Sequence, residues 1–165
     1  MSSTEPVVWI NKHFEIRLPN RPHVDREDGG HLVVYPKRDV SFRSELPVQE
    51  TQALAVLLQA LEEAYISAMR ARGLDMVWLN IQDNGNWSLL FDRPRHFHVH
   101  LYGRCRTEHG QTSGQALVFP GPESSIYDEN QPLNQGDLEA IVTRLESNLK
   151  TLAFCDESQP NPLTQ

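Results

Sequence analysis

An α+β domain built on a largely antiparallel sheet is the fold class this sequence predicts. Short strand patterns outnumber helical ones, and the strands do not alternate regularly with helices. Two stretches carry apolar residues at helical spacing, one long and central, the other near the C-terminus. At 165 residues the chain is long enough for one domain with a real core.

The elements follow in order. "VVWI" and "HFEIRL" read as a strand pair, with Phe14, Ile16 and Leu18 alternating against His13, Glu15 and Arg17. "PNRPHVDREDGG" is a polar loop bounded by Pro19 and by Gly29–Gly30. "HLVVYP" is a short apolar strand that stops at Pro36. A long helix begins near Pro47, with Leu54, Leu57, Leu58, Leu61, Tyr65 and Met69 on one face and Gly73 as its left-handed cap. "MVWLNI" is a strand followed by the turn residues Asp83–Asn86; the stretch "HFHVHLYGR" and then "QALVFP" are further strands. The last helix starts near Asn134 or Gly136 and buries Leu138, Ile141, Val142, Leu145 and Leu149. Residues 1–155 form a single domain, and 156–165 a polar, mobile tail.

Composition excludes several classes. The formal net charge of −7 argues against stable nucleic-acid binding, and no apolar run spans a bilayer. The start "MSSTEPVVWI" lacks the pattern of a secretion signal, and two cysteines make no disulfide framework. A cytoplasmic location is the expectation. Within this acidic chain, Arg93, Arg95, Arg104 and Arg106 surround His96, His98 and His100 with only Asp92 opposing them. That cationic segment is either a solvated rim or a place for an anion.

On a strand the three histidines share one face, while Phe97, Val99 and Leu101 face the core. Histidine is not a favoured strand residue, so three in register ask for a reason. One reading is metal binding. Alternate residues of a strand lie roughly 6.6 Å apart, so two of the three could hold one ion, with His13, His23, His31 or His109 as a further ligand. The other is catalysis, with a central imidazole as nucleophile, its neighbours orienting it or moving a proton, and arginines holding a phosphate.

"HFHVHLY" resembles the His-φ-His-φ-His-φ-φ signature of the histidine triad superfamily of nucleotide hydrolases and transferases, where φ is apolar. The flanks "LPNRPHVDREDGGHLVVYPKRDV", "NIQDNG" and "SSIYDENQ" are similar to segments of the branch that hydrolyses diadenosine polyphosphates. The likeness runs in order from Trp9 to Leu149. It implies an α+β fold, a homodimer and an adenine nucleotide as substrate, cleaved at the α-phosphate of an ester, anhydride or phosphoramidate. His98 would form a covalent nucleotidyl intermediate, with His96 orienting it and His100 touching the phosphate or assisting the leaving group. His31 would support the site, Asn20 would contact the ribose and Gln82 the phosphate. No cofactor is obligatory, although a divalent metal can accompany the substrate. The chain departs from the pattern in "WSLLFDRPR", where Arg93 replaces a hydroxyl residue, and at Asp39, where many members have histidine. Arg93 and Arg95 are the expected substitutes as phosphate contacts. The alternative is a non-catalytic module that binds a nucleotide, or a metal through its histidine cluster.

Overall fold

The structure is a computed structural model that describes residues 5–92 and 94–157. Its elements are β1 (Val7–Ile10), β2 (Phe14–Arg17), β3 (His31–Pro36), α1 (Val48–Ala71), β4 (Met76–Gln82), β5 (Val99–Cys105), α2 (Ile126–Glu129) and α3 (Gln135–Glu157). The strands form one five-stranded antiparallel sheet in the order β1-β2-β3-β5-β4. The predicted α+β class holds.

The alternation of each strand divides the sheet into two faces. Phe14, Ile16, Leu32, Val34, Leu79, Val99 and Leu101 point to a core closed by Leu57, Leu61 and Met69 of α1 and by Ile141 and Leu145 of α3. The opposite face carries His31 on β3 and His100, Tyr102 and Arg104 on β5. Register places His31 beside Tyr102 and Gln82 beside His100. Burying the large apolar side chains of the core stabilises each by about 1.5–3 kcal/mol, so this half of the sheet is the rigid mount for the other.

Helix ends follow the chemistry of their sequences. At the start of α3, Asn134 Oδ1 accepts from the Asp137 amide at 3.1 Å and Asp137 Oδ2 accepts from the Asn134 amide at 3.0 Å, a reciprocal cap. Asp137, fully buried, also takes Arg26 and Arg72 at 3.0 Å. The helix therefore anchors the loop before β3. Helix α3 is described through Glu157, and residues 158–165 lie outside the described residues.

Two expectations are corrected. The segment 115–120 is not a strand. Gln111 takes its ladder bonds, with Oε1 accepting from the Val118 amide at 2.9 Å and Nε2 donating to the Val118 carbonyl at 3.0 Å. Arg104 is no part of a cationic rim. It is buried, paired with Glu108 at 2.5 and 2.9 Å, and holds the Thr112 and Gln115 carbonyls at 3.0 Å. The helical turn α2 was not expected from the sequence. Among the described residues no helix is long and apolar enough to cross a membrane.

The loop of residues 19–30 is pressed onto β5. The Gly103 amide donates to the Gly30 carbonyl at 3.0 Å, and Gly29 and Gly30 adopt φ values of 122° and 78°. A Cβ on Gly103 would sit 2.7 Å from Gly29 Cα. Gly103→Ala is therefore expected to destabilise by about 3 kcal/mol in urea unfolding, whereas Gly85→Ala, with open space around it, should stay within about 0.5 kcal/mol. Glu108→Gln leaves the buried Arg104 without its counter-charge and should cost about 3 kcal/mol by the same measurement.

Candidate functional site

A cavity of about 890 Å³ opens on the polar face of the sheet, and His96, His98 and His100 all line it. His100 belongs to β5; His96 and His98 lie on the extended segment leading into it, before the ladder begins. One bond carries the pairing backward, from the Phe97 amide to the Val40 carbonyl at 2.8 Å. That tie keeps Phe97 in the core and turns His96 and His98 to the cavity.

Hydrogen bonds assign the proton on each ring. His98 Nδ1 lies 2.7 Å from the His96 carbonyl oxygen. A carbonyl only accepts, so Nδ1 carries the proton and Nε2 keeps a free lone pair. The His23 amide donates to His31 Nδ1 at 3.2 Å, so neutral His31 is protonated at Nε2. His31 Nε2–H then donates to His100 Nδ1 at 2.9 Å. His100 is left protonated at Nε2. A single backbone amide thus sets two tautomers in series.

Electrostatics reinforce this. Burial pushes His31 and His100 well below the ordinary imidazole range, and neighbouring imidazoles add to the effect. Burial also lowers His98, against a raising contribution from the His96 carbonyl. The rings are neutral near pH 7, which suits a nucleophile. Tyr35 stacks on both half-buried rings, 5.8 Å from His96 and 5.2 Å from His98. His96 Nδ1 meets Asp39 Oδ1 at 3.2 Å.

The remaining predicted residues divide. His31 is 1% exposed behind His100 and acts through it. Gln82 lines the cavity and accepts from Asn84 Nδ2 at 3.1 Å. Asn20 is exposed and outside the cavity lining, whereas Arg21 and His23, just after it, are inside. Arg95 lines an adjoining hollow shared with His96, its guanidinium 5.4 Å from the centre of the Phe42 ring. Arg93 lies outside the described residues. Ser124 turns its carbonyl to Arg21 at 3.3 Å, while Tyr127 reaches the cavity itself.

His23 is the residue the triad reading missed. Its pKa is lowered to about 4, chiefly by burial. Its Nδ1 is 3.1 Å from the Tyr102 hydroxyl, and its ring touches Trp87, Phe119 and Tyr127 at 5.0, 5.4 and 5.0 Å. Two signals were available for the others: Tyr102 continues the alternation of the triad, and Tyr35 continues that of His31. His23 gives no such signal, because only the folded loop brings it over β5.

His23, His31 and His100 also offer three nitrogens within 4.8 Å of one another, a grouping a metal ion could use. It differs from the expected one, since only one member comes from the triad. An ion there would have to displace the proton shared by His31 and His100.

No family model matches the chain, and no curated protein matches it in sequence. Solved structures do share its fold. A histidine triad protein from Sinorhizobium meliloti aligns with TM-score 0.59 and 19% identity over 87% of this chain and 89% of that one. One from Bradyrhizobium japonicum aligns with TM-score 0.56 and 14% identity over 88% and 90%. A zinc-bound histidine triad family protein from Mycobacterium smegmatis aligns with TM-score 0.50 and 21% identity over 93% and 91%. The fold is the histidine triad fold.

Neutral buried imidazoles make stability fall in acid. The unfolded rings take up protons near pH 6.5, while His31, His100 and His23 refuse them until lower pH, about 4 for His23. Stability is fully present above about pH 6.5 and is lost as pH drops below it, by up to about 1.4 kcal/mol per unit for each histidine. Urea midpoints measured from pH 7.5 down to 4.5 should show this decline, and His23→Gln should flatten it.

Proposed function

We propose that the protein is a nucleotide hydrolase or nucleotidyl transferase of the histidine triad superfamily, working through a covalent nucleotidyl–His98 intermediate. The observation that supports this reading most is the 2.7 Å bond from His98 Nδ1 to the His96 carbonyl, which leaves a lone pair on Nε2 of a ring lining the cavity. Nε2 attacks the α-phosphorus of a nucleoside 5′-phosphate ester, anhydride or phosphoramidate. The bond to the leaving group breaks with its electrons on the leaving atom, which takes up a proton. Water then adds to phosphorus, releasing the nucleoside monophosphate and restoring His98.

The roles of the other residues follow from their places. The His96 carbonyl fixes the tautomer of the nucleophile and stabilises the ring as it gains positive charge. His31 positions His100, whose Nε2–H donates to a phosphate oxygen when substrate enters. Gln82 and Asn84 supply amide donors at the same end of the sheet. An adenine nucleotide is the substrate that the sequence likeness favours, and the protein acts as a homodimer in the cytoplasm. Arg93 and Arg95 remain the candidate phosphate contacts named from the sequence, Arg95 from the hollow that adjoins the cavity. No metal is required for these steps.

The His23–His31–His100 grouping favours a second reading, a metal-binding module. Stoichiometric zinc uptake together with loss of folding stability on chelation, and no turnover of nucleotide substrates, would support it.

The test of the first reading is mass spectrometry of enzyme quenched during turnover of adenosine phosphoramidate. A nucleotidyl adduct on His98 is expected, and its absence during active turnover would overturn the reading. His98→Ala should lower kcat/KM by about ten-thousandfold or more. In the wild type, kcat/KM should fall as pH drops through the His98 pKa, which burial lowers from the ordinary imidazole value, because protonation removes the attacking lone pair.

A further inference from the structure

The walls of the cavity are poor in usable positive charge. Arg21 lines it, but its guanidinium is held by Asp128 at 2.5 and 3.1 Å and by the Pro122 and Ser124 carbonyls at 3.4 and 3.3 Å. The His100 ring accepts at Nδ1 from His31 and so carries no charge, and the His98 proton on Nδ1 is engaged by the His96 carbonyl. Glu5 adds a carboxyl that accepts the Tyr35 hydroxyl. Among the described lining residues no cation lacks a carboxylate partner. Arg95 belongs to the adjoining hollow.

Flat apolar surface is abundant instead. Trp87, on the turn after β4, and Phe119, on the segment before α2, are both partly exposed in the cavity lining. Phe119 packs at 4.9 Å on Tyr102 and 5.4 Å on His23, and Trp87 stands 5.0 Å from His23 and 5.9 Å from Tyr127. His23 and Tyr102, which these rings touch, stack on His100 at 5.6 and 5.3 Å, and His100 is 4.6 Å from the His98 ring. A polyphosphate chain beside them would lose its water and meet neutral imidazoles and a carboxyl. Each extra phosphate charge needs a counter-charge or a set of strong donors to enter such a place. A flat uncharged group needs neither, and it gains by stacking.

We infer that the group displaced from the α-phosphate is a flat, uncharged aromatic one, held against Trp87 and Phe119, rather than a phosphate chain. This rests on the reaction proposed above and narrows its substrate. The substrate is a phosphate monoanion joined through oxygen or nitrogen to an aryl or arylalkyl group. His98 Nε2 forms a bond to phosphorus as the P–O or P–N bond breaks. The leaving atom keeps the electron pair and gains one proton, and water later cleaves the P–His98 bond.

The test compares three substrates that share adenosine 5′-phosphate. Two are phosphoramidates of amines of similar basicity, 2-(2-naphthyl)ethylamine and 2-cyclohexylethylamine, one flat and one puckered. The third is diadenosine triphosphate. The naphthyl compound is expected to exceed both others in kcat/KM by about tenfold. Trp87→Leu and Phe119→Leu, on separate loops and each keeping apolar bulk, should each reduce the naphthyl-to-cyclohexyl ratio by about two- to tenfold. A preference for diadenosine triphosphate, or a ratio that neither variant moves, overturns the inference while the His98 adduct still forms. Absence of any adduct with all three substrates overturns the reaction itself.

Discussion

One backbone amide governs the chemistry of this site. The His23 N–H donates to His31, and His31 donates to His100, whose own proton is left on Nε2. Every ring in that series is neutral and asymmetric, so reversing one bond would reverse them all. The series exists only because the loop of residues 19–30 is held against β5. The Gly29–Gly103 approach, the Tyr65 hydroxyl on the Gly29 carbonyl at 3.0 Å and the Asp137–Arg26 pair all serve that one placement. The core face of the sheet is thus coupled to the histidine face through a loop, and the arrangement of the rings depends on the stability of that loop.

Desolvation works in the same direction as the hydrogen bonds. A buried imidazole resists protonation, and several close together resist it more. The site therefore keeps a free lone pair on His98 without a carboxylate to hold the ring. The His96 carbonyl does that work, as a dipole that neither titrates nor competes for phosphate. The cost is acid sensitivity, which falls on the same histidines.

Much of this was legible in the sequence. Period-two alternation located β2 and the triad, short apolar runs ended by Pro36 and by the Asp83–Asn86 turn located β3 and β4, and the stripe at helical spacing located α1. The triad and His31 were legible together: His31 and His100 sit on paired strands, and His96 and His98 continue the same alternation on the extended segment leading into β5. Asn20, read as a ribose contact from its place in a motif, is exposed beside a cavity lining that includes Arg21 and His23. The strand expected at 115–120 failed because a side chain, Gln111, supplies the bonds a ladder would have made. The segment rich in arginine looked cationic because sequence does not reveal ion-pair partners; Glu108 neutralises Arg104 from within the fold. What was hidden depends on loops that meet far from their neighbours in the chain, as the aromatic wall of Trp87, Phe119 and Tyr127 does.

The most direct measurement of the central claim is long-range ¹⁵N–¹H NMR of the histidine rings at neutral pH, with assignments from single His→Gln variants. Proton on Nδ1 and a bare Nε2 for His98, with proton on Nε2 for His31 and His100, is the predicted pattern. A His98 ring protonated at Nε2, or an imidazolium at His31 or His100, would contradict the account.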